Sequence, residues 1–82
     1  MIEDEVAELD ALGLLCPLPV LKARKRLQAL PAGGRLRVVA DDPAAALDIP
    51  HFCAEAGHAL LSEERVSGGA RAYVIKKGGG GA

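Results

Sequence analysis

Between residues 5 and 11 the chain alternates, with Ala7, Leu9 and Ala11 on one side and Val6, Glu8 and Asp10 on the other, which predicts a half-buried strand. Gly13 then permits a turn. From Pro17 to about Leu30 the period lengthens: Val20, Ala23, Leu27 and Leu30 form one helical stripe, with Lys22, Lys25 and Arg26 opposite. Pro31-Ala32-Gly33-Gly34 ends this helix. Alternation returns over Arg35–Ala40 through Leu36 and Val38, predicting a second strand parallel to the first across a right-handed crossover. Asp41-Asp42-Pro43 restarts a helix, with Asp42 as its cap and Pro43 in its first position. Pro50 predicts either a kink or a fresh start after Asp48, and Gly57 closes the helix. Ala59–Val66 and Arg71–Lys76 read as two more strands around Ser67-Gly68-Gly69, a hairpin signal. The first of this pair has the poorer pattern, because Ser62-Glu63-Glu64-Arg65 is polar throughout.

The order βαβαββ predicts an α/β (α+β) two-layer sandwich. Two helices cover one face of a four-stranded mixed sheet, and the other face is open to solvent. Residues 1–77 form one domain in this reading, and residues 78–82 form a flexible Gly-rich tail. At 82 residues there is room for one core. Half of the chain is apolar, but much of that is alanine, and Phe52 and Tyr73 are the only aromatic residues. No apolar run approaches the ~20 residues of a membrane helix. Met1-Ile2-Glu3-Asp4-Glu5 is acidic where a secretory signal is basic and then apolar, so the expected location is the cytoplasm. A net charge of −1, without interleaved basic and aromatic residues, argues against direct nucleic-acid binding. Four of the ten bases lie between Lys22 and Arg26, a cluster that reads either as a solvated helix face or as a docking patch for an acidic partner.

Two cysteines without a Cys-x-x-Cys spacing indicate neither a disulfide framework nor a zinc site. His51, Cys53 and His58 spread around a helix at ~100° per residue and share no face, so no metal or other cofactor is expected. Cys53, beside Phe52 within a helical segment, reads as a small buried hydrophobe. Cys16 reads differently. It stands before Pro17 and Pro19, and proline is tolerated in a helix only in the first turn, where its missing N–H has no partner to lose. With Pro17 as the first helical residue, Cys16 is the expected cap, its thiol exposed at the positive end of the helix dipole. That placement predicts a lowered pKa and a reactive thiolate.

Leu9-Asp10-Ala11-Leu12-Gly13-Leu14 followed by Cys16-Pro17-x-Pro19-Val20, then Ala40-Asp41-Asp42-Pro43, Asp48-Ile49-Pro50, Phe52-Cys53 and Ile75-Lys76-Lys77-Gly78-Gly79, resembles the TusA/SirA family of small sulfur carriers. The resemblance spans roughly residues 9–79. It implies that Cys16 takes a sulfane sulfur from a cysteine desulfurase or rhodanese-like donor as a persulfide and passes it to a cysteine of an acceptor protein. Such a carrier is a monomer and a sulfurtransferase-type relay rather than a stand-alone enzyme, with 2-thiolation of tRNA at the end of the relay. Leu15 and Leu18 stand where the tRNA-thiolating version has a basic residue and a glutamate. Leu14, Leu15 and Leu18 therefore ring the sulfur with an apolar docking rim, with Lys22, Lys25 and Arg26 beside it. Members with leucine in the motif also serve sulfur oxidation. Cofactor synthesis, a regulatory interaction module and RNA binding stand as alternatives.

Overall fold

The alternating segments pair side by side in the order β1-β2-β4-β3 in the structure, a computed structural model that describes residues 6–78. The elements along the chain are β1 (Val6–Ala11), α1 (Leu18–Gln28), β2 (Arg35–Ala40), α2 (Ala45–Ala56), β3 (Ala59–Arg65), a 3₁₀ turn (Ser67–Gly69) and β4 (Arg71–Lys76). β1 runs parallel to β2, while β4 pairs antiparallel with both β2 and β3. The register sets the faces. Leu9 lies opposite Val38 and Ala11 opposite Ala40, all buried toward the helices. Glu8 lies opposite Arg37 on the other face, where the pair makes a 3.6 Å ion contact. The sheet is therefore mixed, with its helix-free face open, as the pattern predicted.

The core is small. Leu27, Leu36, Val38, Ile49, Tyr73 and Ile75 fill it, and Ala11, Ala23, Ala40 and Ala45 are equally buried between them. An alanine buries little area but lets a helix approach the sheet closely, so the alanine-rich composition is spent on contact distance rather than on bulk. β3 is the exposed edge and carries a register shift between Leu60 and Ser62, which accounts for its poor pattern. At the other edge, Arg26 donates from Nη2 to the Glu8 carbonyl at 2.8 Å, satisfying an outward acceptor of β1.

Three boundaries differ from the sequence pattern. The cap of α1 is Pro17 and not Cys16, because Leu18 N–H closes a turn onto the Leu15 carbonyl at 2.8 Å, and the helix runs on from there. α1 ends at Gln28, so Leu30 packs against the core from just outside the helix. α2 starts at Ala45, two residues after Pro43: Asp42 accepts from Ala44 N–H at 3.1 Å and starts a turn, but it does not cap the helix. Pro50 does not restart α2, which is continuous from Ala45 to Ala56. It deprives the helix of one N–H, and packing of Ile49, Phe52 and Cys53 against the core holds the segment together. Gly57, at φ 80°, closes α2 as expected.

Of the predicted tail, residues 79–82 lie outside the described residues. Gly78 is packed: it donates to His58 Nδ1 at 2.9 Å, and a Cβ on it would overlap the Gly57 carbonyl. Lys77 adds a clasp through Nζ to the Leu30 carbonyl at 2.7 Å. No helix among the described residues is long and apolar enough to cross a membrane.

Burial, and then the charge of Lys77, lower the His58 pKa, so the fold favours neutral imidazole with a free Nδ1 acceptor. Stability linked to His58 is complete above the unfolded value of about 6.5 and declines as pH falls through the lower folded value. Urea unfolding midpoints should therefore fall from neutral to mildly acidic pH, and a His58→Asn variant should show a shallower fall over the same window. Parallel pH profiles for the two proteins would contradict this.

Candidate functional site

Cys16 and Pro17 occupy the two central positions of the turn that leads into α1, and the Cys16-Pro17 peptide is cis. The turn is held from outside. Asp42 Oδ2 accepts Cys16 N–H at 2.6 Å, and Asp41 Oδ1 accepts Gly13 N–H at 3.0 Å, so the loop after β2 grips the loop after β1 at both ends. Parallel pairing of β1 and β2 places both loops at the same end of the sheet. Pro19 is fully buried beneath the turn while Pro17 is exposed, so the two prolines anchor and present the cysteine respectively.

The Cys16 thiol is exposed at the mouth of a groove of about 220 Å³ between the helices. Val20, Arg24 and Pro17 line one wall, and Asp48, His51, Phe52 and Glu55 line the other. The basic side chains of the groove have partners. Arg24 lies over the Phe52 ring at 5.6 Å, and His51 Nε2 is 3.3 Å from Glu55 Oε2.

The electrostatics overturn the expected acidity of the thiol. Asp48 accepts a hydrogen bond from the protonated sulfur and this, with desolvation and the charges of Asp48 and Asp42, raises the Cys16 pKa above its ordinary value. The positive end of the α1 dipole acts in the other direction, while the Leu18 amide of its first turn is committed to the Leu15 carbonyl. The Cys16 thiol is therefore exposed, and the carboxylates beside it favour its protonated form.

Around it, the apolar rim divides. Leu14 packs against the core, whereas Leu15 is 68% and Leu18 44% exposed. Leu18, Leu21, Lys22 and Lys25 follow one another at helical spacing along the solvent face of α1. Lys22 and Lys25 make no ion pair among the described residues, while Arg26 turns toward β1. Cys53 is buried beside Phe52, and burial pushes its thiol up to about 11. Among the described residues no group of three or more His, Cys, Asp or Glu side chains could hold a metal ion.

Asp42 and Asp48 are the residues that the sequence pattern did not single out for chemistry. The pattern places Asp42 at a helix cap and Asp48 just before the break expected at Pro50. The usable signal was topological: the start of α2 must come up beside the start of α1 once β1 and β2 are parallel neighbours.

The profile of the sulfurtransferase TusA family matches residues 7–77, nearly the whole described chain. The chain belongs to the TusA family. The sulfur carrier protein TusA of Pseudomonas syringae pv. syringae is 46% identical over 71 residues, covering 87% of this chain and 84% of the relative. Its counterpart in Pseudomonas entomophila is 45% identical, covering 87% and 89%. The crystal structure of a SirA-like protein from Desulfitobacterium hafniense matches 90% of this chain and 99% of its own, with a TM-score of 0.78 at 27% identity. The TusA-family fold is therefore the one described above, including the open sheet face.

The two thiols differ in access and not only in acidity. A thiol reagent such as dithionitrobenzoate should modify one sulfur in the folded protein, at a rate that climbs as pH rises, and reach the second only on unfolding. A Cys16→Ser protein that still reacts in the folded state would contradict this assignment.

Proposed function

We propose that Cys16 carries sulfane sulfur as a persulfide between two protein cysteines. The observation that carries this reading is the exposed thiol on a turn that is pinned by Asp42 and underlain by Pro19, in a chain of the TusA family. Thiolate attack on the outer sulfur of a donor persulfide forms the Cys16 S–S bond and breaks the donor's, and the donor cysteine leaves as thiolate. The reverse geometry unloads the sulfur onto an acceptor cysteine, with no net oxidation. The donor is a cysteine desulfurase or a rhodanese-like protein. Delivery goes to a protein cysteine in a pathway of tRNA 2-thiouridine synthesis, consistent with the sulfur carriers named TusA among the relatives. The chain acts as a carrier in the cytoplasm, as a monomer and without binding RNA itself. A second reading, sulfur trafficking in sulfur oxidation, is favoured by Leu15 and Leu18, both exposed beside the sulfur where the tRNA-thiolating version carries charges.

Partners dock on the rim formed by Leu14, Leu15 and Leu18 and on the basic stripe of Lys22, Lys25 and Arg26. Leu15 and Leu18 supply exposed apolar area, and the two unpaired lysines supply the attraction for an acidic surface.

Incubation with a cysteine desulfurase and cysteine should add one sulfur to the protein by mass spectrometry, located on Cys16. Cys16→Ser should gain none, and a variant that still gained one would remove the basis of the relay. Charge reversal of Lys22 and Lys25 together should slow loading by the donor severalfold at low salt, without altering alkylation of Cys16 by a small neutral reagent. Unchanged loading would return those lysines to the role of solvated helix surface.

A further inference from the structure

A sulfur carrier needs its cysteine available to partners, yet the groove surrounds this one with negative charge. From the loop before α2, Asp42 holds the Cys16 amide at 2.6 Å. From α2, Asp48, His51 and Glu55 face the groove, and from α1 only Arg24 does. His51 is turned to Glu55 and Arg24 lies over Phe52, so both basic side chains have partners other than Cys16. Two carboxylates thus meet the Cys16 turn from beyond β2: Asp42 through the Cys16 amide, and Asp48 as a wall of the groove that Cys16 lines.

We propose that Asp48, backed by Asp42, is an electrostatic latch on Cys16: it keeps the thiol protonated in the free chain, and a partner that lays a cationic side chain against the two carboxylates releases it. This rests on the carrier reading of Cys16 and adds to it the condition under which the sulfur becomes a nucleophile. On release the S–H bond breaks, the proton passes to water, and the electron pair stays on Sγ to attack the donor's outer sulfur. The same cation stabilises Cys16 as the leaving thiolate when the sulfur moves on, since a thiol that ionises more readily also leaves faster. In the absence of a partner, the neutral thiol resists alkylation and oxidation, both of which proceed through the thiolate. The raised pKa of Cys16 agrees with this arrangement. Because the sulfur is exposed, the latch is open to screening by salt.

Asp48 is thus a positioning residue, and the test reads proton release and not fold. In a Cys53→Ala background, alkylation by iodoacetamide, which is uncharged, is followed by mass across neutral to alkaline pH. Asp48→Asn, which keeps the shape of the side chain, should move the rate profile to lower pH and alkylate severalfold faster than the parent at neutral pH. Adding salt, or an oligoarginine peptide as the probe for a cationic partner, should accelerate the parent and have less effect on Asp48→Asn. The parent alone gives an independent reading: its midpoint should lie above that of a free cysteine peptide. Coincident profiles of parent and variant, a parent midpoint at or below the peptide's, or a peptide effect of equal size on both proteins would overturn the latch. None of these measurements involves sulfur transfer, so failure of the latch and failure of the relay are read separately.

Discussion

One carboxylate joins the two loops on which the functional end of the molecule depends. Asp42 spends one oxygen on the Cys16 amide at 2.6 Å and the other on Ala44 N–H at 3.1 Å. The first bond fixes the turn before α1, and the second shapes the turn before α2. A neutral side chain of the same size could make one of these bonds well, whereas a carboxylate accepts both at charge-assisted strength. Because the bonds are made to backbone amides, they set where the chain runs and leave the thiol free. Asp41 repeats the arrangement one residue earlier by accepting from Gly13, whose φ of 79° is open to glycine at little cost. The position of the sulfur is therefore set by backbone hydrogen bonds to side chains of a neighbouring loop and not by packing around the sulfur itself.

That arrangement needs the two loops to lie at one end of the sheet, and the sheet supplies it. Parallel pairing of β1 with β2 carries Ala11 beside Ala40, the last residue of each strand, so that both chains leave the sheet side by side. The small residues at this point matter. Ala11 and Ala40 are fully buried, and with Ala23 and Ala45 they let both helices sit close to the strand ends. Larger side chains would bury more apolar area but would push the helix starts apart, and the reach of an aspartate is short. The alanine-rich core thus trades hydrophobic bulk for the closeness that the Asp42 bridge requires.

The strands and the face of each helix were legible because their signals are local. Arg35–Ala40 and Arg71–Lys76 can be read from alternation alone, and the exposure of Cys16 follows from two prolines that permit only one place in a helix. The failures share a cause. Pro17 takes the cap because a turn hydrogen bond from Leu18 to Leu15 competes with the helical arrangement, and the residue pattern holds no record of which wins. Pro50 is tolerated because the apolar face of α2 is buried, so tertiary packing overrides a local penalty. The acidity of Cys16 was misjudged for a further reason. The helix dipole belongs to the segment that carries the cysteine, but Asp42 and Asp48 come from a segment placed beside it only by the fold, and local reading includes the first and omits the second.

The two opposing effects on the thiol also bear on what kind of carrier this fold makes. In thiol exchange a cysteine plays both parts, attacking as a thiolate when loaded and departing as a thiolate when unloaded. A low pKa favours departure and the abundance of the attacking form, at some loss of intrinsic nucleophilicity. A high one gives a stronger nucleophile that is rarely present and a poor leaving group. A cysteine set permanently at either extreme is well suited to only one of the two steps. Here the α1 dipole is built into the backbone and constant, while the carboxylates of Asp42 and Asp48 are only half-buried, so that an approaching charge can offset them. The fold therefore separates a fixed contribution that favours the thiolate from an adjustable one that opposes it.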